Sequence, residues 1–305
     1  MNKSLSIWLD AARPKTLPLA LVSILTGSSL AHSDGRFSFP VMLLALLTAT
    51  LLQILSNLAN DYGDAQKGTD NENRLGPMRA MQSGAVTQEE MKKAIILNIV
   101  FTIAAGIALI FYSLDSLTNI IAFLGLGLLA IVSAIAYTVG DKPYGYVGLG
   151  DLSVFIFFGL LGVGGTYFLH TGSVDWTIAA PALGCGLLAV AVLNVNNMRD
   201  IDNDRECGKR TVAVRLGEQC AKVYHLTLIW AAFVAFAGYL LFNSAQLWFV
   251  VPFLLSAAVI GKHGKAVLAS ESPVQIAPML PVIVKCAVIT NILFSLMVVA
   301  QTLAR

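Results

Sequence analysis

Ser56-Asn57-Leu58-Ala59-Asn60-Asp61-Tyr62-Gly63-Asp64, running on through Lys67-Gly68-Thr69-Asp70, closes an apolar run that extends from Val41 to Leu55. On a helix that persists through Asp64, residues Asn57, Asp61 and Asp64 fall at i, i+4 and i+7 and share one face. Two carboxylates and an amide at the mouth of an apolar helix are oxygen ligands suited to a hard divalent cation such as Mg²⁺. A polar helix end made of ordinary caps and turn residues fits the same letters, so this stretch alone leaves both readings open.

A second stretch decides between them. Asn194-Val195-Asn196-Asn197-Met198-Arg199-Asp200-Ile201-Asp202-Asn203-Asp204 closes the apolar run Ile178 to Leu193, and Asn196, Asp200 and Asp204 fall at i, i+4 and i+8. Glycine and basic residues follow both: Lys67-Gly68 and Arg74 after the first, Gly208-Lys209-Arg210 and Arg215 after the second. Capping does not call for two matching acidic clusters; paired metal and anion binding does.

Outward from these stretches the chain is lipid-soluble in character. Of its 305 residues 56% are hydrophobic and 12% charged, with mean hydropathy +0.73; soluble domains carry roughly 25% charged residues. The expected fold is all-α, a polytopic bundle of nine transmembrane helices forming one membrane-embedded domain over 1–305. The spans are about Thr16–His32, Phe39–Asn60, Ala94–Tyr112, Leu117–Val139, Leu152–Leu169, Thr177–Met198, Tyr224–Phe242, Leu247–Gly261 and Pro281–Leu303. All but the eighth, which is short and holds Pro252, approach the ~20 residues a hydrocarbon core requires. Residues 1–13, with Trp8, read as an interfacial helix. The first apolar run reads as a retained span rather than a cleaved signal. Cys185, Cys207, Cys220 and Cys286 have no metal-type spacing and read as free thiols.

On a nine-span path, 17 of the 20 lysines and arginines fall on one side. The positive-inside rule makes that side cytoplasmic, with the N-terminus and both acidic clusters on it. The location is then a bacterial inner (plasma) membrane, with lipid as the surrounding partner. The net charge of +2 gives no reason to expect a nucleic-acid partner. The clusters end spans two and six, the offset of a parallel internal repeat, with little similarity outside the motifs. The loops Asp61–Lys93 and Arg199–Val223 are expected to form a cytoplasmic cap. Thr87 and Glu90 have capping-box spacing ahead of span three.

Clustered carboxylates repel phosphate until Mg²⁺ lies between them. Mg²⁺ commonly uses one or two carboxylates plus substrate phosphates, and Lys67, Arg74, Arg79, Lys209, Arg210 and Arg215 are placed to neutralise the remaining phosphate oxygens. A diphosphate held between two metal clusters is a good leaving group, and an apolar interior accommodates a long tail. Membrane, metal, diphosphate and lipid together point to a polyprenyl diphosphate substrate. A transporter is the rival class, but carriers place such groups near the bilayer midplane, whereas these acids cluster at one surface.

The chain resembles the membrane-embedded aromatic prenyltransferases of the UbiA superfamily, in particular the 1,4-dihydroxy-2-naphthoate branch. The residues that carry the resemblance are Arg13-Pro14-Lys15-Thr16-Leu17-Pro18, Asn57 to Asp64, Tyr137 through Gly150-Asp151, and Asn196-Asn197-Met198-Arg199-Asp200 with Asp204. Gly208-Lys209-Arg210-Thr211 and Arg215-Leu216-Gly217 complete the set. Where the wider superfamily has a further acid four residues after Asp64, this chain has Gly68, and Asp70 follows as in the naphthoate branch. The resemblance implies a helical bundle around a central cavity capped on the cytoplasmic side. It implies Mg²⁺-dependent transfer of a polyprenyl group to 1,4-dihydroxy-2-naphthoate, with loss of diphosphate and carbon dioxide. Sister enzymes with 4-hydroxybenzoate or haem acceptors would share the diphosphate end.

The candidate catalytic residues are Asp61, Asp64, Asp200 and Asp204. The candidate metal ligands are those four with Asn57, Asp70 and Asn196. Asn57, Lys67, Arg74, Asn196 and Lys209 are candidates for the substrate, joined through the resemblance by Tyr137 and Lys142. Asp151 reads as an N-cap or a cavity-facing acid. Arg13 reads first as snorkelling to the headgroups and second as a contact for the acceptor's carboxylate; Lys285 snorkels. His170 and His263 read as isolated loop residues without a role. Prenyl chain length and oligomeric state are not set by these residues.

Overall fold

A backbone in lipid must satisfy its hydrogen bonds within each segment, which selects helices for a chain of this composition. The structure, a computed structural model, describes residues 3–243 and 246–304; Arg305, one of the charges counted above, lies outside them. The described residues form helices and connecting turns, without strands. In order, the α-helices are α1 (Lys3–Ala12), α2 (Leu17–Ser33), α3 (Phe39–Lys67), α4 (Gln88–Ser113) and α5 (Leu117–Ala136). A 3₁₀ turn at Tyr144–Val147 leads to α6 (Gly150–Val154), which widens into a π-helix over Phe155–Gly165 and continues as α7 (Thr166–Thr171). Then come α8 (Ala179–Arg199), α9 (Ile201–Glu206), α10 (Val212–Asn243), α11 (Leu255–Ala269), α12 (Pro273–Ile276) and α13 (Met279–Leu303). Among the described residues eight helical segments are long and apolar enough to cross a membrane, and α2, at 17 residues, is a shorter apolar helix.

Local chemistry explains the boundaries that matter. Pro18 and Pro40 sit in the first turns of α2 and α3, where the missing N–H costs nothing. The α3 helix runs past the expected Asn60 to Lys67 and stops at Gly68, whose φ of 72° is the left-handed C-cap conformation. The Thr87–Glu90 capping box is present in both directions at the start of α4. Three expectations are corrected. The eighth span is longer than drawn, because the 3₁₀ turns of Leu247–Leu254 absorb Pro252 and α11 continues to Ala269; a 3₁₀ entry spares the hydrogen bond that proline cannot donate. His263 lies on that helix, fully buried, rather than in a loop. His170 lies on α7, where Ser28 Oγ is 3.0 Å from its Nε2 and the Ser38 N–H donates to its Nδ1.

The core is built around α8, the most buried spanning segment, which packs on α10, the π-segment and α13. Its glycines permit the close approach. A Cβ at Gly184 would lie 2.8 Å from the Phe236 ring, and one at Gly186 would lie 2.8 Å from the Phe155 ring. Small residues at such seams are how apolar helices gain packing contacts in lipid. The outward faces of α3, α4 and α5 instead display large apolar side chains such as Leu43, Leu47, Phe101 and Leu128, a surface suited to acyl chains. Helices α2, α3, α4, α5, the π-segment and α8 enclose a cavity.

Candidate active site

The unbroken α3 keeps Asn57, Asp61 and Asp64 together, and all three are buried. Asn57 Nδ2 donates to the Ala12 carbonyl at 2.8 Å, tying the α1–α2 turn to α3. Asp64 accepts from Arg79 Nη1 at 2.9 Å and from the Tyr146 hydroxyl at 2.8 Å. Thr69 Oγ1 lies 2.6 Å from that same hydroxyl. Gly63 is required between the acids, since a Cβ there would lie 2.6 Å from the Thr138 backbone.

The second cluster straddles a break. The α8 helix ends at Arg199, Asp200 (φ −99°, ψ 16°) links it to α9, and the Asp204 N–H still donates to the Asp200 carbonyl at 2.8 Å. Arg199 grips the Asp200 carboxylate with two donors, Nε at 2.9 Å and Nη2 at 2.5 Å, and its Nη2 also reaches Asn196 Oδ1 at 3.0 Å. Lys209 Nζ is 3.5 Å from Asp204 and 5.3 Å from the centre of the Tyr146 ring.

The loop after α3 joins the two clusters. Asp70 faces Arg74 Nε at 3.3 Å and Arg79 Nη1 at 3.1 Å, and Arg74 Nε is also 3.6 Å from Asp200. Asn203 Nδ2 donates to the Thr69 carbonyl at 2.9 Å. Two motifs more than 130 residues apart in sequence therefore converge on one ionic network. Burial pushes the Asp204 carboxyl up to about 6, with Asp200 adding to the rise and Lys209 opposing it. Burial would lower Arg79, but Asp64, Asp70 and Asp61 around it prevail and raise it above its ordinary value.

Beside this network lies a cavity of about 370 Å³. Asn57, Asp64, Arg79, Tyr137, Asn196 and Lys209 form its polar part, and Leu109, Ile110, Phe123, Leu126, Leu161 and Leu169 belong to its apolar walls. Tyr137 stands edge-on to Tyr144, with ring centres 5.4 Å apart. Arg13 also lines the cavity, so it turns inward rather than snorkelling. It is the one described non-glycine residue with positive φ, at 53°, a conformation costing about 1–2 kcal/mol. Burial, reinforced by Arg79, lowers its guanidinium to about 9.

Asp61, Asp70, Arg74, Asp200 and Asp204 are in or beside the ionic network without lining the cavity. Lys67 is exposed and donates to the Asp141 carbonyl at 3.2 Å. Lys142 is exposed and is not part of the cavity wall. Asp151 is not an N-cap: Leu149 holds that position, and Asp151, one residue into α6, accepts from the Tyr224 hydroxyl at 3.0 Å. Arg210 and Arg215 are exposed and brace the loop that carries Tyr146: the Arg210 N–H donates to the Tyr146 carbonyl, and Arg215 Nη2 donates to that of Val147. Tyr146 and Arg199 are the site residues that motif reading passes over. The signal for Tyr146 is its place in the glycine-rich run Tyr144 to Gly150.

Among the described residues no three Asp, Glu, His or Cys side chains converge on one point, because arginines and a lysine stand among the carboxylates. The donor set nonetheless fits Mg²⁺. Asp61 Oδ1 is buried without a hydrogen-bond partner, and the Asp70 oxygens, though close to two arginines, lie outside hydrogen-bond geometry. Such hard, under-satisfied oxygens are what the cation takes.

The profile of the UbiA prenyltransferase family matches residues 20–288. The chain belongs to this family. It is therefore a prenyltransferase with several apolar, membrane-length helices. It is 49% identical over 298 residues to the 1,4-dihydroxy-2-naphthoate octaprenyltransferase of Haemophilus influenzae, covering 97% of this chain and 96% of that one. It is 50% identical over 289 residues to the Escherichia coli protein of the same name, covering 95% and 94%. Among solved structures, the apo UbiA homolog of Aeropyrum pernix superposes with a TM-score of 0.65 at 19% identity, covering 92% of this chain and 99% of that one. A UbiA homolog of Archaeoglobus fulgidus bound to DMAPP and Mg²⁺ gives 0.63 at 14%, covering 96% and 99%. At these identities the structural likeness carries the fold alone.

Proposed function

We propose that this chain transfers a polyprenyl group from polyprenyl diphosphate to 1,4-dihydroxy-2-naphthoate in a Mg²⁺-dependent reaction, releasing diphosphate and carbon dioxide and yielding demethylmenaquinol, the reduced form of demethylmenaquinone. The observation that carries this reading is a cavity that has Asp64, Arg79, Asn196 and Lys209 in one part and aliphatic walls in the rest. That shape matches a charged head joined to a hydrocarbon tail. The naphthoate acceptor is supported by the names of relatives about half identical over nearly the whole chain. Nine spans in one domain, an inner-membrane location and an ionic network capping the cytoplasmic side complete the proposal.

The allylic carbon–oxygen bond breaks as diphosphate departs, the ring carbon that bears the carboxylate bonds to the allylic carbon, and the carbon–carboxylate bond then breaks, its electron pair restoring the aromatic ring as carbon dioxide leaves. Mg²⁺, held by Asp61, Asp64, Asp70, Asp200 and Asp204 with Asn57 and Asn196, would supply positive charge to the departing diphosphate. Lys209 and Arg79 offer donors to its oxygens. Arg199 and Arg74 hold Asp200 in place, and Tyr146 holds Asp64. Tyr137 and Tyr144 present aromatic rings that favour a nearby carbocation, while the apolar walls keep water from it.

Purified protein in lipid nanodiscs, given Mg²⁺, a polyprenyl diphosphate and the naphthoate, is expected to release diphosphate and form prenylated product. With 4-hydroxybenzoate in the naphthoate's place it is expected to be slow. Faster turnover of 4-hydroxybenzoate would assign the sister activity, and solute movement with the diphosphate intact would assign a carrier.

A further inference from the structure

Arg13 occupies a turn that the fold holds in place. Its N–H donates to the Asp10 carbonyl, its own carbonyl accepts from the Thr16 N–H and hydroxyl, and the preceding Ala12 carbonyl is pinned by Asn57. A left-handed conformation at a residue with a full side chain persists only where its surroundings dictate it, and such positions concentrate at ligand clamps. The side chain enters the cavity wall beside Thr16, Gln53 and Asn57. Its Nη2 is buried without a hydrogen-bond partner among the described residues. A buried guanidinium N–H left unmatched is an unfilled site for an anion, and the planar fork suits a carboxylate.

We propose that Arg13 is the residue that reads the acceptor's carboxylate, pairing with it so that the ring faces the allylic carbon. The diphosphate already has Lys209 and Arg79 on the cavity wall and Arg74 behind them. The Arg13 backbone is anchored at the level of Asn57, one helical turn before Asp61 on α3, and Arg79 and Asp61 both act on its guanidinium, so a carboxylate held there lies beside the diphosphate end. The assignment rests on the naphthoate reading above and narrows it to one contact. Holding the carboxylate fixes the ring's orientation before bond formation.

The test is equilibrium binding of 1-hydroxy-2-naphthoate and of 1-naphthol, which lacks the carboxylate, followed by fluorescence in wild type, Arg13→Gln, Arg13→Lys and Arg13→Gly. Binding of a prenyl thiolodiphosphate with Mg²⁺ and thermal unfolding are measured alongside. Wild type is expected to prefer the carboxylate compound by about 10- to 100-fold, the scale of a charge-assisted hydrogen bond. Arg13→Gln and Arg13→Gly lose the preference, Arg13→Lys keeps part of it, and prenyl thiolodiphosphate binding changes by less than about threefold. Arg13→Gly, relieved of the left-handed strain, unfolds no earlier than wild type, which separates recognition from folding. A preference that survives in Arg13→Gln overturns the assignment, as does its absence in wild type or a loss confined to the thiolodiphosphate. Naphthoate turnover is scored separately. Normal turnover with a preference indifferent to Arg13 sinks this inference alone; no turnover with an Arg13-dependent preference sinks the proposed reaction and leaves Arg13 as a reader of aromatic carboxylates.

Discussion

The first aspartate cluster rides an unbroken helix, whereas the second bridges a helix end and the short helix beyond it. In the first, Asp64 lines the cavity and Asp61 keeps an unmatched oxygen. In the second, Asp200 is clasped by Arg199, faced by Arg74 and set back from the cavity, which it meets through Asn196 and Lys209. Both clusters carry arginines, Arg79 on Asp64 and Arg199 on Asp200, but the first keeps an unmatched oxygen at Asp61 whereas in the second Asp200 is held from two sides. Asp200 is therefore expected to serve the fold as well as the metal, whereas Asp61 serves the metal alone, and substitutions should separate the two.

The largest effect is expected at Asp200. Asp200→Ala leaves the Arg199 guanidinium buried without its partner, a loss of about 3–5 kcal/mol, so thermal unfolding should fall together with turnover. Asp61→Asn should cut diphosphate release by about 100-fold or more, the scale of removing one preorganised electrostatic group, with the unfolding temperature held; equal destabilisation in the two variants would erase the division. Next comes Tyr146→Phe, which removes one buried hydrogen bond to Asp64. Steady-state kinetics should show roughly a tenfold loss at most, the scale of such a bond. Lys142→Ala is expected to be nearly silent, because the side chain is exposed and off the cavity wall. A substantial rise in KM there would restore the role that the family resemblance suggests.

Much of this arrangement was legible in the residues. Periodicity placed Asn57, Asp61 and Asp64 on one face because α3 continues through them, and the Thr87 capping box is a local signal that tertiary packing left alone. The regular i, i+4, i+8 pattern of Asn196, Asp200 and Asp204 concealed the break at Asp200, since a helix end alters φ and ψ without altering letters. Tyr146 and Arg199 escaped because their roles depend on which loop meets which helix, and hydroxyl or guanidinium groups carry no spacing rule. Arg13 illustrates the same limit. A basic residue before an apolar run usually reaches for headgroups, whereas this one sits in a left-handed turn and lines the cavity, which the letters do not announce.

The central claim is that both clusters act on one diphosphate through divalent cations. An anomalous-scattering map from crystals grown with Mn²⁺ and a prenyl thiolodiphosphate tests it most directly. The account predicts Mn²⁺ peaks within ligand distance of Asp61 or Asp64 and of Asp200 or Asp204, with a single diphosphate bridging them. Metal confined to one cluster, or a diphosphate bound away from both, would contradict it.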